Sequence, residues 1–518
     1  MQRLPIGEQH FGLLRESNQI YIDKTKKIHE LMNVGRFVFL ARPRRFGKSL
    51  LTTTLQAIYQ GKQELFNGLW IEDKIDWKPS PVILLNFNDI NYLDRPLTVA
   101  LEEYIDRLAE RSDVTLRSSD YKSKFQEFIV KLSVEKRIVL IIDEYDKPIT
   151  DFLGEDDKVK ENIRTLKSFY SVLKSTDASH LHFTFITGVS KYGKISIFSD
   201  LNNLLDMTTD ARFGTLLGIT QQELETYFPD YLERLAKRFD VDHETLLKTI
   251  AHWYNGYSWD GVESVYVPFS TLVFLEKQTF ENHWFSTGTP TFLIKLLRQN
   301  KFPAYKLEDV TADDTLLDQM EIDDVSIESL LFQTGYLTIK EVRSSLGYLR
   351  YKLGYPNYEV AQSFRKHLLA DYLDVGAGSI GRQLLFDFED ALNALDMDAF
   401  IMLLKSMFSR IPNTLFLPQE AYYHSIVYLL LELLGFDIDP EKLTNIGRID
   451  AVLETDETVI MEFKMSHVDD EDPADVALTQ IQDKQYALPY ATKDKRIIAL
   501  GVVFDYESRN VVDWDVEG

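Results

Sequence analysis

Arg36-Phe37-Val38-Phe39-Leu40-Ala41-Arg42-Pro43-Arg44-Arg45-Phe46-Gly47-Lys48-Ser49 decides how this chain is read. An apolar run that fits a buried strand empties into a basic loop ending in Gly-Lys-Ser. The following Leu50-Leu51-Thr52-Thr53-Thr54-Leu55-Gln56-Ala57-Ile58-Tyr59 spaces its apolar residues as a helix does and stops before Gly61. A lysine and a hydroxyl residue at a strand-to-helix turn offer an ammonium for outer phosphates and a ligand for magnesium. The turn also presents free backbone N–H groups to phosphate oxygens. The stretch therefore predicts a nucleotide-binding loop made of Arg42, Arg44, Arg45, Phe46, Gly47, Lys48, Ser49 and Leu50, with Ser49 on the metal. It departs from the pattern G-x-x-x-x-G-K-[ST] in placing Arg42 where the leading glycine stands. The guanidinium groups of Arg42, Arg44 and Arg45 suit either phosphate contact or pairing with surface carboxylates.

Working outward, further apolar strands are read at 81–87, 137–142 and 182–188, separated by helical stretches such as 97–108 and 159–173. Continuous apolar strands alternating with helices predict a parallel sheet buried on both faces, the P-loop NTPase layout of the α/β class. The strand at 137–142 runs into Asp143-Glu144. Asp143 is the candidate for the magnesium shell and Glu144 the candidate base that polarises the attacking water. Thr187 or Ser190, at the tip of the next strand, is a secondary candidate for sensing the terminal phosphate through its hydroxyl.

Composition limits the alternatives. A chain of 518 residues is too long for one typical core. Zero cysteines rule out disulfides and thiolate zinc sites. No apolar run approaches the ~18 residues needed to span a bilayer, and Met1–Glu8 lacks the apolar core of a secretory signal, so a cytoplasmic location without a membrane partner is expected. A net charge of −24 prevents the overall field from holding a polyanion. A nucleic acid would need a local basic surface or a bridging metal, and metal-dependent nucleases cluster carboxylates where the phosphodiester is cut.

From Gly218 the pattern turns helical. Thr220 and Glu223 have the spacing of a capping box, and Asn255-Gly256 is a helix stop. The aromatic cluster Trp253, Tyr254, Tyr257 and Trp259 is read as core packing around a tight turn, and residues 330–354 as a helix-plus-hairpin unit of winged-helix type. His283 beside Trp284 has no second ligand at metal spacing, so no zinc is expected.

Beyond residue 375 a second constellation emerges. The strand 447–453 contains Asp450, and the strand 459–464 contains Glu462 and Lys464. Alternation puts Glu462 and Lys464 on one face, and a hairpin would bring Asp450 to it. Two carboxylates can bind magnesium while the lysine orients or deprotonates the attacking water, the D…E-x-K arrangement of PD-(D/E)xK nucleases. In the helix read at 475–488, Gln480 and Lys484 project from one side and could lie along a DNA backbone. Glu420 and His424 are one helical turn apart upstream.

Taken together, Tyr21-Ile22-Asp23-Lys24-Thr25, the arginine-rich loop, Ile142-Asp143-Glu144-Tyr145-Asp146-Lys147-Pro148, Leu217-Gly218-Ile219-Thr220, Trp253-Tyr254-Asn255-Gly256-Tyr257 and Gly447-Arg448-Ile449-Asp450 resemble one family. This is the bacterial and archaeal AAA-ATPase-like family, a P-loop NTPase domain fused to a C-terminal restriction-endonuclease-like domain of the PD-(D/E)xK superfamily. The resemblance spans nearly the whole chain and makes the arginine in place of the leading glycine a family trait. It implies a helical metal-supporting role for Glu420, and nucleic-acid contacts for Gln480, Ile481, Lys484 and Tyr486. The expected domains are residues 1–218, 219–375 and 376–518. The expected function is ATP binding and hydrolysis with Mg2+, coupled to metal-dependent cleavage of DNA; the alternative is a nucleotide-driven switch whose nuclease-like domain binds without cutting. Homo-oligomerisation stays open.

Overall fold

A computed structural model describes residues 2–191, 193–284, 291–300, 302–313, 326–345, 348–373, 382–411, 420–436, 438–443, 448–454, 457–466, 473–490, 495–505 and 507–518. The chain divides into two compact units, Met1–Gly288 with Asp309–Val360, and Thr289–Glu308 with Ala361–Gly518.

In the first unit β1 (Phe37–Ala41), β2 (Val82–Asn86), β3 (Ile138–Asp143), β4 (Leu181–Gly188) and β5 (Leu204–Asp206) form one sheet in the order β2-β3-β4-β1-β5. All four pairings are parallel. Every residue of β1 and β3 is buried, because both faces of the sheet are covered and only apolar side chains tolerate that environment. Leu40 pairs with Thr187 and Asn86 with Asp143. The segments that follow β1, β3 and β4 therefore leave the sheet along one edge, the carboxyl edge, where open α/β sheets bind ligands.

The middle stretch packs, together with Ile20 of the N-terminal segment, around a further core in the same unit. Helices Gln221–Tyr227, Pro229–Phe239, His243–Tyr254 and Pro268–Lys277 bury Leu224, Phe228, Leu235, Ile250, Tyr254 and Phe274 together. The first is opened by a capping box in which Thr220 Oγ1 accepts from Glu223 N at 3.2 Å and Thr220 N donates to Glu223 Oε2 at 2.8 Å. Helix Ile327–Thr334 leads into β7 (Thr338–Ser345) and β8 (Tyr348–Gly354), antiparallel to each other, with β6 (Val310–Asp313) against β8.

In the second unit β9 (Ile438–Leu443), β10 (Arg448–Glu454), β11 (Thr458–Ser466), β12 (Ile497–Asp505) and β13 (Asn510–Glu517) form a mixed sheet in the order β13-β12-β11-β10-β9. The β11–β12 pairing is parallel because helix Pro473–Asp483 carries the chain back across the sheet. Leu478, Ile481 and Tyr486 pack against Ile449, Val452 and Ile460.

Candidate functional site

The turn after β1 is shaped by backbone that most residues avoid. Arg45 has φ +70° and Gly47 φ +90°, and Gly47 opens helix Lys48–Tyr59 with no side chain capping the first amides of the helix. Lys48 is buried, donates to Pro43 O at 3.2 Å, and lies 3.5 Å from Glu144 Oε1. Ser49 Oγ donates to Asp143 Oδ2 at 2.7 Å. Glu144, directly after β3, has φ +57°. The loop and the end of β3 thus converge as two pairs, Lys48 with Glu144 and Ser49 with Asp143. Burial and the neighbouring Glu144 push the Asp143 carboxyl up to about 6, against the pull of Ser49 and Lys48. Asp143 Oδ1 has no hydrogen-bond partner among the described residues.

The three arginines have different surroundings. Arg42 is 1% exposed, donates to the carbonyls of Ala41, Thr208 and Phe213, and stacks 3.9 Å over Trp259. Arg44 is exposed. Arg45 donates to His283 O and stacks 4.1 Å over Phe269. Phe46 is buried edge-to-face against Tyr257 and Trp259, and Leu50 lines a cavity beside Gly47. Two of the cluster's four rings, Tyr257 and Trp259, therefore pack under the loop.

At the tip of β4 the hydroxyls are committed to protein partners: Thr187 Oγ1 donates to Leu40 O at 2.6 Å and Ser190 Oγ to Asp146 Oδ2 at 2.8 Å. Asp146, to which sequence reasoning gave no role, also accepts from Val189 N and Ser190 N and so sets the course of the chain after β4. Its signal in the sequence is its place in the motif Ile142–Pro148, three residues after Asp143. Lys191 and Lys194 converge on Asp206, again without warning from local sequence.

In the second unit the hairpin pairs Ala451 with Met461, and Asp450 Oδ2 accepts from Phe463 N at 2.8 Å. Asp450 therefore lies beside Glu462. The Glu462 side chain is 1% exposed; its Oε1 accepts from Lys464 Nζ at 3.0 Å and from Gln480 Nε2. Glu462 Oε2 has no hydrogen-bond partner among the described residues. Burial, with the Asp450 charge second, pushes the Glu462 carboxyl up to about 7. Lys484 lies over the ring of Tyr486, which is itself in the core. His424 is buried with its ring 4.7 Å from that of Phe463. Glu420 begins helix Glu420–Leu433, but its side chain and Gly447 lie outside the described residues. Among the described residues no three His, Asp or Glu side chains converge on one point. A cation at either place would rest on one or two carboxylates completed by a hydroxyl or a backbone oxygen. Those hard oxygen donors suit magnesium, and each place keeps one buried carboxylate oxygen unsatisfied, so the residues fit the ion.

A parallel sheet with a lysine-serine loop at its carboxyl edge, and a mixed sheet carrying Asp450, Glu462 and Lys464, define a P-loop NTPase-type unit and a nuclease-type unit. Residues 5–198 match the family described as "Predicted AAA-ATPase", and residues 418–514 match the "PD-(D/E)XK nuclease superfamily". Over its full length the chain is 38% identical to "Uncharacterized protein in vnfD 5'region" of Azotobacter chroococcum mcd 1, with 100% of this chain and 99% of that protein covered. The chain belongs to this AAA-ATPase-like family with a C-terminal PD-(D/E)xK nuclease-superfamily domain. Among the described residues no helix is long and apolar enough to cross a membrane.

Proposed function

We propose that the first unit binds and hydrolyses ATP with Mg2+, and that this turnover controls metal-dependent cleavage of DNA by the second unit. One recurring observation carries the reading: each unit brings a lysine to the place where a buried carboxylate keeps one unsatisfied oxygen, Lys48 paired with Glu144 next to Asp143, and Lys464 bonded to Glu462 itself. An unsatisfied buried carboxylate oxygen is costly and is explained where a ligand completes it.

At the first place the amides around Gly47 and the Lys48 ammonium take phosphate oxygens. Ser49 and Asp143 would hold magnesium, which neutralises charge on the transferring phosphate. A triphosphate draws Lys48 away from Glu144 and leaves that carboxylate to accept the proton of the attacking water. Arg42, spent on backbone carbonyls, shapes the loop from beneath, whereas Arg44 and Arg45 are the arginines within reach of solvent. A cavity of about 110 Å³ beside Gly47, walled by Ile20, Tyr21, Leu50, Thr54 and Leu217, takes the nucleobase. Its wall includes Lys24, whose ammonium is already bonded to Glu223 and to Thr215 O.

At the second place Asp450 and Glu462 would hold the metal, Lys464 orients the attacking water, and Gln480 keeps Glu462 in position. The test has two arms. Lys48→Ala is expected to abolish binding of labelled ATP, and undiminished binding overturns the first assignment. Lys464→Ala is expected to abolish magnesium-dependent cleavage of DNA; unchanged cleavage overturns the second assignment, and no cleavage by the parent favours the non-cutting switch.

A further inference from the structure

Glu359 is fully buried, and its Oε1 accepts three hydrogen bonds: from Ser270 Oγ at 3.1 Å, His283 N at 2.5 Å and Trp284 N at 2.7 Å. Oε2 has no hydrogen-bond partner among the described residues. The carbonyl of the same His283 receives the guanidinium of Arg45, which also stacks on the face of Phe269, the residue next to Ser270. The Glu359 carboxylate also acts on Arg45 electrostatically. Two amides on one carboxylate oxygen fix the orientation of the 283–284 backbone, and with it the direction of the carbonyl that Arg45 grips.

Arg45 is no ordinary loop residue. Its φ of +70° is a conformation a side-chain-bearing residue adopts only when its surroundings hold it there. It sits two positions before Gly47, at the corner from which the phosphate-facing amides are presented. The anchor of its side chain is therefore the anchor of that corner.

We infer that Glu359 is a positioning residue for the phosphate loop: by binding the amides of His283 and Trp284 it aims the His283 carbonyl at Arg45 and holds the left-handed corner in its triphosphate-binding shape. The inference rests on the nucleotide-binding reading of the loop and adds to it a control element more than three hundred residues along the chain. Neutralising Glu359 weakens its hold on Arg45, so the affinity falls as pH falls. Burial pushes the Glu359 carboxyl up to about 7, against its three donors and Arg45, and this places the change near neutrality. Among the described residues the other titratable groups around it are Tyr254 and Tyr257, both raised by burial and by Glu359 itself, and His283, held low by burial.

The test uses the full chain, magnesium and N-methylanthraniloyl-ATP, comparing the parent with Glu359→Ala, Glu359→Gln, Arg45→Ala and the double variant Arg45→Ala/Glu359→Ala. Near-ultraviolet circular dichroism reports folding. At pH 8 we expect Glu359→Ala and Arg45→Ala each to weaken binding about tenfold, and the double variant to be no weaker than Arg45→Ala alone. Between pH 8 and pH 6 the parent loses affinity relative to Glu359→Gln, a comparison that cancels titration of the nucleotide. If Glu359→Ala does not fold, the pH profile of Glu359→Gln decides. Additive losses, or a Glu359→Gln profile that parallels the parent, overturn the positioning role while leaving the nucleotide site standing. A folded parent that binds no triphosphate removes the nucleotide site, and the positioning role with it.

Discussion

Ser49 Oγ donates to Asp143 Oδ2 across 2.7 Å, tying the first turn of helix Lys48–Tyr59 to the last residue of β3. The two residues are far apart in sequence and meet because β1 and β3 run parallel with β4 between them. Asp143→Asn keeps an oxygen for Ser49 but removes the charge. ATP turnover with magnesium is expected to fall at least about a hundredfold while metal-free nucleotide binding stays within a few fold, measured by phosphate release and by equilibrium binding. Equal loss of both would contradict the role given to Asp143.

Glu462 must lose its proton to take a cation. With its carboxyl pushed up to about 7, magnesium affinity at the second place is expected to rise as pH goes from 6 to 8. Magnesium titrations followed by thermal shift should show this rise in the parent and lose it in Glu462→Gln. A rise that persists in the variant would belong to another group.

Glu359 makes a contribution to stability whose pH dependence has a definite direction. Its folded value is raised from 4.5 to about 7, so the fold favours the neutral acid. That contribution is complete below about pH 4.5 and is lost as pH climbs through 7, a loss with a ceiling of roughly 3 kcal/mol. Denaturant unfolding of parent and Glu359→Gln at pH 5 and pH 8 should show the parent losing ground to the variant at the higher pH. A constant difference would mean that the carboxyl does not titrate in this window.

Gly256 follows Asn255, the residue that caps helix His243–Tyr254; it has φ +112°, and a Cβ there would lie 2.0 Å from Pro356 O. Gly256→Ala is expected to cost about 3 kcal/mol or more, because neither the backbone nor the carbonyl can yield cheaply. Gly7 has φ +73° with nothing within 4 Å of its would-be Cβ, so Gly7→Ala carries the backbone cost alone, about 1 kcal/mol. Similar losses in both, by chemical denaturation, would refute the clash.

How much of this was legible depended on range. β1 and β3 could be read from unbroken apolar runs, since strands buried on both faces have no polar alternation to obscure them. The capping box at Thr220 was equally readable, because its chemistry closes within four residues. The approach of Asp450 to Glu462 followed from one short hairpin and a two-residue alternation.

Arg42, Thr187, Ser190 and Glu359 mark where local pattern ran out. As sequence, Arg42 is one of three loop cations; its burial beneath Trp259 depends on where residues 208, 213 and 259 arrive in space. Thr187 and Ser190 stand at a strand tip facing the loop, yet their hydroxyls are taken by Leu40 and Asp146. Local sequence was enough to determine β1 to β4, the turn beside Lys48 and the hairpin of Asp450, Glu462 and Lys464, because short-range geometry and burial dictate them, whereas the short edge strand β5 was not legible. Only the tertiary structure decided which charges are spent on the fold and which keep an open oxygen, since a hydrogen bond acts over about 3 Å and its partner can come from anywhere along the chain.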